Sequence, residues 1–248
     1  MVDVKGKWAL VTGANRGIGY RIAKFMASKG CNLILHSRSL EHTVAVLSEV
    51  KAMGVEAYDI AAELSDPAQV QKMIDEINAK GTQVDILFND AAVQIAYRVD
   101  YYETPVEDYV KSFYINTIAP MMLCYAFIPP MIERGWGRVI NTTSGIRNEP
   151  QQAGYSASKA ALDKVTNDLA GQLDGTDVCI NLTDPGWCRT DLGGPNAPND
   201  PDSVIPGICV GAFIDDKKSG RNLGAQDFAG MTLEDAVAKA ADYPQLFK

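Results

Sequence analysis

Tyr155 and Lys159 are four positions apart in a segment whose residues favour a helix. Side chains at this spacing share one helix face, with about 5–6 Å between their Cβ atoms. A free tyrosine has a pKa near 10 and is a poor base at neutral pH, but a neighbouring ammonium group favours the phenolate and lowers that pKa. We therefore predict that Tyr155 exchanges a proton with a reacting oxygen. On its own, the same spacing is also common on helix surfaces.

A glycine-rich turn at residues 12–19 is a second candidate element, because it follows the apolar run 8–11 and precedes a predicted helix. Glycines let the backbone approach a pyrophosphate closely, and a helix N-terminus offers free N–H groups and the positive end of a dipole. Such a turn is weak evidence alone, and its place after the first strand strengthens it. The residues predicted to bind a dinucleotide here are Gly13, Asn15, Arg16, Gly17, Ile18 and Gly19.

The end of the second predicted strand distinguishes between nicotinamide cofactors. A carboxylate at this point typically binds the ribose hydroxyl of NAD, whereas this chain has His36-Ser37-Arg38. Arg38 can pair with a ribose phosphate, Ser37 can donate a hydrogen bond to it, and Arg16 could reach the same group. We therefore expect NADP(H) to be preferred over NAD(H). That both arginines are solvated surface cations remains an alternative.

Short apolar runs alternate with helical patterns along most of the chain. Strands are predicted at residues 8–11, 32–36, 55–60, 84–88, 138–141 and 178–182. Helices are predicted at residues 17–29, 40–53, 106–118, 121–133 and 155–173, with another beginning at Asp66. This alternation predicts an α/β fold, a doubly wound Rossmann-type parallel sheet with helices on both faces. We expect one domain over residues 1–248, with a substrate loop at about 193–206.

The motifs together resemble the short-chain dehydrogenase/reductase family over nearly the whole chain, and most closely its NADPH-dependent carbonyl reductases. Residues 12–19 match the T-G-x-x-x-G-x-G turn of that family, and Tyr155 and Lys159 match its Y-x-x-x-K pair. Ser144 matches the catalytic serine after the fifth strand, and Asn116 matches the catalytic asparagine. Residues 185–190 match the P-G-x-x-x-T element. All these elements occur in the family's order.

The resemblance implies a role for each of these residues. Ser144 would hydrogen-bond the substrate oxygen, Asn116 would hold a water that links Lys159 to solvent, and Lys159 would also hold the nicotinamide ribose. Trp187 would help to shape the substrate pocket, although packing in the core is an alternative for this side chain. Further contacts with the cofactor are expected from Glu63, Leu64, Asn89, Ala91, Tyr155, Lys159, Pro185, Gly186 and Thr190.

Three departures from the family pattern affect these expectations. The usual N-N-A-G after the fourth strand is Asn89-Asp90-Ala91-Ala92, which alters the local turn. Glu63 stands where aspartate is usual, so its longer side chain need not repeat the contact with adenine. Ser144 and Tyr155 are only eleven positions apart, fewer than the family pattern leads us to expect. These departures affect the shape of the substrate pocket more than the chemistry.

The function predicted from these residues is hydride transfer between NADP(H) and a carbonyl or secondary alcohol carbon of a small molecule. Acyl-thioester or sugar-alcohol oxidoreduction by the same residues is one alternative. A catalytically silent NADP-sensing protein is another, but such proteins commonly lose a member of the catalytic set.

Composition excludes several other classes. The chain is 46% apolar and 22% charged, which is typical of a packed core, and its net charge of −8 disfavours nucleic acid as a partner. Two histidines and five scattered cysteines show no spacing for a metal site. The N-terminus lacks a signal pattern, and three prolines interrupt the most apolar stretch, 118–132, so we expect no membrane partner. We expect a cytoplasmic protein and, from the resemblance, a homodimer or homotetramer.

Overall fold

The computed structural model describes residues 1–247, so the last residue of the predicted domain, Lys248, lies outside them. One sheet of seven strands has the order β3-β2-β1-β4-β5-β6-β7, and all neighbouring strands are parallel. The strands are β1 (Trp8–Val11), β2 (Asn32–Ser37), β3 (Ala57–Ala61), β4 (Ile86–Asn89), β5 (Gly137–Thr142), β6 (Val178–Asp184) and β7 (Asn222–Gly224). The predicted doubly wound parallel sheet is confirmed.

Helices cover both faces of this sheet. They are α1 (Gly17–Ser28), α2 (Val44–Ala52), α3 (Pro67–Ala79), α4 (Val106–Phe113), α5 (Ala119–Arg134), α6 (Ala153–Gln172) and α7 (Leu233–Ala240). Side chains of successive strand residues point to opposite faces. Leu33 and Leu35 therefore pack with α1 and α2, whereas Ile34 packs with α3 and α5. This alternation explains why the central strands are apolar on both sides.

The strand order reverses at β1, which lies between β2 and β4. Chain connections leave in opposite directions from such a point, and a crevice opens beyond the carboxyl ends of the strands. The segments after β1, β2, β4, β5 and β6 carry most of the predicted site residues. The topology therefore brings segments that are far apart in sequence to one edge of the sheet.

Helix α5 corrects one expectation from the sequence. Pro129 and Pro130 lie inside it and Pro120 lies in its first turn, yet the helix is continuous. Each proline removes a backbone donor, and the buried apolar face of the helix offsets that loss. The helical run Val106–Arg134 is long and apolar enough to cross a membrane by length and composition, although 56% of its most apolar window is buried in the protein. A core helix meets the same criterion, so the absence of a membrane partner stays a prediction.

Smaller differences have local causes. The helix predicted over residues 40–53 is divided into a 3-10 turn, Leu40–His42, and α2. The Thr43 hydroxyl lies at this break and hydrogen-bonds both the Leu40 carbonyl and the Asp59 carboxylate. Strand β7 is only three residues long and was not predicted. The predicted loop at 193–206 contains a 3-10 helix, Pro201–Val204.

Candidate functional site

The glycine-rich turn has a backbone that only glycine fits at its closest points. Gly13 and Gly17 have φ values of +69° and +58°, in the left-handed region. A Cβ at Gly19 would lie 2.3 Å from the Gly13 carbonyl oxygen, and one at Gly13 would lie 3.1 Å from Ala91 Cα. The side chain of Arg16, the N-cap residue of α1, makes no capping hydrogen bond. Because the first N–H groups of a helix have no partner within the helix, the turn fits the pyrophosphate of a dinucleotide.

The Thr12 hydroxyl holds this turn against the end of β4. It accepts hydrogen bonds from the backbone N–H groups of Asp90 (2.9 Å) and Ala91 (3.0 Å). It also donates to the Phe88 carbonyl at 3.2 Å. Three bonds use the hydroxyl fully, so the glycine-rich turn and the segment after β4 are fixed relative to each other.

His36 supports the same turn from the other side, a role that the sequence did not indicate. Its Nδ1 accepts from the Gly13 N–H at 3.3 Å, and its Nε2 lies 3.0 Å from the Ala62 carbonyl oxygen. Nε2 therefore carries the proton. Burial lowers the pKa of His36 to about 4, against a weaker effect of the Ala62 carbonyl. His36 is thus a neutral structural residue at neutral pH.

The two arginines predicted to bind a ribose phosphate have different surroundings. Arg38 is exposed after β2 and makes no hydrogen bond or ion pair within residues 1–247. Arg16 is also exposed, and it pairs with Asp191 at 2.7 Å. Ser37 differs from the prediction, because it is buried and its hydroxyl donates to the Ser39 carbonyl. Its hydroxyl proton is therefore not available for a phosphate, and Arg38 is the unpaired cation of this set.

Three other predicted cofactor residues use their side chains elsewhere. The Glu63 carboxylate accepts from the Ser65 N–H (3.0 Å) and hydroxyl (2.9 Å), so it turns towards α3. Leu64 is buried in the core beneath α3 and α5. Asn89 is also buried, and its side chain donates to Asn141 Oδ1 at 2.8 Å, which ties β4 to β5. Leu64 and Asn89 can therefore face a cofactor only through their backbone.

Tyr155 and Lys159 lie near the start of α6, and both side chains are buried. The Ser144 hydroxyl hydrogen-bonds with the Tyr155 hydroxyl and partly opposes the effect of burial, which raises the pKa of Tyr155. The Asp184 and Asp90 carboxylates raise it further. The expectation that Lys159 lowers this pKa is therefore wrong, because burial and two carboxylates raise it and the group that acts against the rise is Ser144, not Lys159.

Lys159 is 3% exposed, and its Nζ donates to the Thr142 carbonyl at 2.7 Å. Burial lowers the pKa of Lys159 to about 8, while Asp90, Asp163 and Asp184 act in the opposite direction. The ammonium group is thus held at the end of β5 among three carboxylates.

Asn116 lies in a π-helix, Tyr114–Ile118, between α4 and α5. Its side-chain amide donates to the Val93 carbonyl (2.9 Å) and to Ser158 Oγ (3.0 Å), and its oxygen accepts from the Val93 N–H (2.9 Å). Both amide protons are used, so this side chain braces the segment after β4 against α6. The regular backbone hydrogen-bond pattern changes in a π-helix. The backbone of Asn116, rather than its side chain, can therefore still hold a water.

The segment after β6 covers the glycine-rich turn. A Cβ at Gly17 would lie 3.7 Å from Thr190 Cγ2, so Thr190 lies beside the turn, and its contact with a cofactor stays a prediction. The Gly186 N–H donates to Asp184 Oδ1 at 2.8 Å, and this bond shapes the turn after Pro185. Arg189 bonds the Ala197 and Pro198 carbonyls and so orders the loop that follows.

Trp187 is 58% exposed, which excludes the alternative that it packs in the core. Its indole N–H donates to the Gly193 carbonyl at 2.7 Å. The ring therefore stands on the surface at the start of the loop 193–206, which is compatible with its predicted place beside a substrate pocket.

Comparison with known proteins agrees with this geometry. Residues 7–200 match the family model described as short chain dehydrogenase. A short chain dehydrogenase of Pseudocercospora fijiensis is 34% identical over 197 residues, which are 78% of this chain and 63% of that protein. A 3-oxoacyl-(acyl-carrier-protein) reductase of Aquifex aeolicus is 31% identical over 77% of each chain. The chain thus spans less than two thirds of the length of the first of these relatives.

Two solved structures are similar to this chain. One is a metagenomic short-chain oxidoreductase in complex with NADP, with a TM-score of 0.77 and 30% identity, covering 89% of this chain and 97% of the other. The second is a 3-oxoacyl (acyl-carrier-protein) reductase from Agrobacterium tumefaciens with NADP bound. It has a TM-score of 0.73 and 28% identity and covers 92% of this chain and 86% of the other.

The depressed pKa of His36 predicts a specific loss of stability in acid. Unfolded histidine titrates near pH 6.5, whereas folded His36 has a pKa of about 4. Its contribution to stability is complete above pH 6.5 and falls as the pH drops towards 4, because only the unfolded chain takes up the proton. The loss is on the order of 3 kcal/mol. Urea unfolding of His36→Gln across this range is expected to show a shallower decline than the wild type.

The matched control is His42→Gln, which replaces the other histidine, exposed near the start of α2. We expect this variant to keep the wild-type dependence on pH. An equally steep decline in His36→Gln and the wild type would contradict the role given to His36.

Proposed function

Since this chain belongs to the short-chain dehydrogenase family, we propose that it transfers a hydride between NADP(H) and the carbon of a carbonyl or secondary alcohol. The observation that carries this proposal is the contact between the Tyr155 and Ser144 hydroxyls beside buried Lys159. These groups lie at the carboxyl edge of the sheet, where the glycine-rich turn also begins. A proton donor, a hydrogen-bond donor for the substrate oxygen and a phosphate cradle thus share one crevice.

The raised pKa of Tyr155 suits this side chain to donate a proton, as carbonyl reduction requires. A nicotinamide dinucleotide supplies the hydride when it is bound. Ser144 then holds the substrate oxygen and stabilises the negative charge that develops there. Tyr155, whose hydroxyl keeps its proton at neutral pH, delivers that proton to the oxygen. Lys159 carries a positive charge below its pKa of about 8 and so stabilises the phenolate that remains.

Arg38 supports a preference for NADP(H) over NAD(H). It is an unpaired, exposed cation after β2, within the described part of the chain, and the end of that strand lacks the carboxylate that binds the ribose of NAD. Arg16 would add a second cation if it left Asp191, and exposed ion pairs of this kind are worth only about 0–1 kcal/mol. Both similar structures described above carry NADP.

Acyl-thioester reduction is a second candidate function, since relatives near 30% identity include 3-oxoacyl-(acyl-carrier-protein) reductases. The indole of Trp187 is exposed, and the segment between Ser144 and Tyr155 is short. A 3-oxoacyl thioester and small free ketones, offered separately with NADPH, distinguish the two functions by which substrate is reduced.

The remaining proposals concern the setting of the enzyme. We propose a cytoplasmic homodimer or homotetramer that acts on a small molecule, with residues 193–206 as its substrate loop. Exposed apolar side chains on the helical run Val106–Arg134, such as Val106 (69%) and Tyr125 (62%), support self-association. All five cysteines lie within the described residues as buried thiols, which suits a reducing compartment.

Removal of the proposed acid tests the mechanism. Tyr155→Phe is expected to lower kcat about a thousandfold while the affinity for NADPH is kept, because only the transferred proton is lost. Oxidation of NADPH by a panel of carbonyl compounds measures turnover, and cofactor fluorescence measures binding. Tyr125→Phe, which removes an exposed hydroxyl, is the control. Activity retained in Tyr155→Phe would defeat the proton-donor role.

Removal of the free cation tests the cofactor preference. Arg38→Ala is expected to weaken NADPH binding roughly 10- to 100-fold and to leave NADH binding unchanged, because only NADPH carries the ribose phosphate. Dissociation constants for both cofactors measure the change, and Lys72→Ala, an exposed cation on α3, is the control. Equal losses for both cofactors, or equal wild-type affinities, would show that Arg38 does not select NADP(H).

A further inference from the structure

Asp90 is a buried carboxylate directly behind the glycine-rich turn. Its Oδ1 accepts from the Thr142 hydroxyl at 2.9 Å. Its Oδ2 faces Gly19, where a Cβ would lie 3.1 Å away, and the Gly19 amide stabilises the carboxylate. Asp90 therefore lies between the end of β5 and the N-terminus of α1, the part of the helix that offers its positive end to an anion.

The side chain at this position changes its charge near neutral pH. Burial raises the pKa of Asp90 to about 6, while Thr142, the charge of Lys159 and the Gly19 amide act against that rise. The titratable groups that face it are Lys159 and Tyr155 on α6 and Cys209 on the 3-10 helix Gly207–Ala212. Tyr155 and Cys209 stay protonated, because both have raised pKa values. Between about pH 5 and 7, Asp90 is the group of this set that titrates.

We propose that Asp90 makes dinucleotide binding dependent on pH, by placing a negative charge behind the phosphate cradle. The inference rests on the proposed function, since it requires a dinucleotide whose pyrophosphate lies on the turn. The N-terminus of α1, which attracts the pyrophosphate, already stabilises the Asp90 carboxylate. The carboxylate and the pyrophosphate are both anions, and they repel each other strongly where little water separates them. The asparagine of the family pattern at this position has the same shape and no charge.

The sign of the effect follows from linkage. A bound pyrophosphate raises the pKa of Asp90 further, so binding takes up a proton. Affinity is highest below the pKa of the free protein, about 6. The affinity falls as the pH rises from this value to the higher pKa that Asp90 has in the complex. At still higher pH the affinity stays low. The effect is the same for NADPH and NADH, which share the pyrophosphate, whereas Arg38 acts on NADPH alone.

The experiment compares cofactor affinities of the wild type and Asp90→Asn from about pH 5.5 to about 8.5, the range in which Asp90 loses its proton. The ratio of the two affinities is the readout, because titration of the NADPH ribose phosphate is common to both proteins and cancels. We expect a ratio near one at the acid end and an affinity about tenfold higher in Asp90→Asn at the alkaline end, for NADPH and NADH alike.

Asp163→Asn is the matched control. Asp163 also faces Lys159, but its carboxylate accepts from the Thr143 hydroxyl rather than facing Gly19. We expect its affinity ratio to the wild type to be constant with pH. A ratio that rises as steeply in Asp163→Asn would mean that the effect passes through Lys159, and it would overturn the assignment to Asp90.

Calorimetry of the wild type with NADH provides a measurement that needs no variant. Titrations near pH 7 in two buffers of different ionisation enthalpy are expected to show net uptake of a fraction of a proton. Binding without uptake, or a flat ratio for Asp90→Asn, would contradict the role of Asp90 and leave the proposed function standing. Failure of the wild type to bind either cofactor at any pH would contradict both.

Discussion

The ammonium group of Lys159 is a positive charge in a place that water scarcely reaches, and much of the site is arranged around it. An isolated buried charge costs several kcal/mol. Here the Thr142 carbonyl accepts a hydrogen bond from it, and Asp90, Asp163 and Asp184 surround it. Asp90 directly follows β4 and Asp184 is the last residue of β6, and these two strands lie on either side of β5. The parallel sheet thus compensates the buried charge by bringing the carboxyl ends of its strands together.

The same arrangement determines how Tyr155 behaves. Burial raises the pKa of Tyr155, and Asp184 and Asp90, two of the carboxylates around Lys159, raise it further and keep its hydroxyl protonated. A protonated hydroxyl suits a proton donor better than a base. Asp90 has a second effect, since it also lies behind the glycine-rich turn. One buried carboxylate can therefore act on the tyrosine and on cofactor affinity.

Much of the fold was predictable because the signals are local. The apolar runs of β1, β2 and β5 and the glycines of the first turn each specify their own conformation. Ser144, Tyr155 and Lys159 were predicted as site residues by motif, and the structure places them together at the carboxyl edge of the sheet. The pKa of Tyr155 was predicted in the wrong direction, because it depends first on burial and then on Asp184 and Asp90, which reach it only through the sheet topology. The hydrogen bond of Ser37 likewise depends on a local contact that spacing along the chain does not reveal, whereas the helix predicted at 121–133 already ran through Pro129 and Pro130.

The most direct test is the fate of the hydride. The protein is given NADPH that carries deuterium at both positions of C4 of the nicotinamide, together with a panel of ketones, and the alcohol products are analysed by mass spectrometry and NMR. Hydride transfer with Tyr155 as the acid predicts an alcohol that carries one deuterium on its carbinol carbon, with the hydroxyl proton drawn from solvent through Tyr155. An alcohol without the label, or with hydrogen from solvent on that carbon, would contradict hydride transfer by this protein.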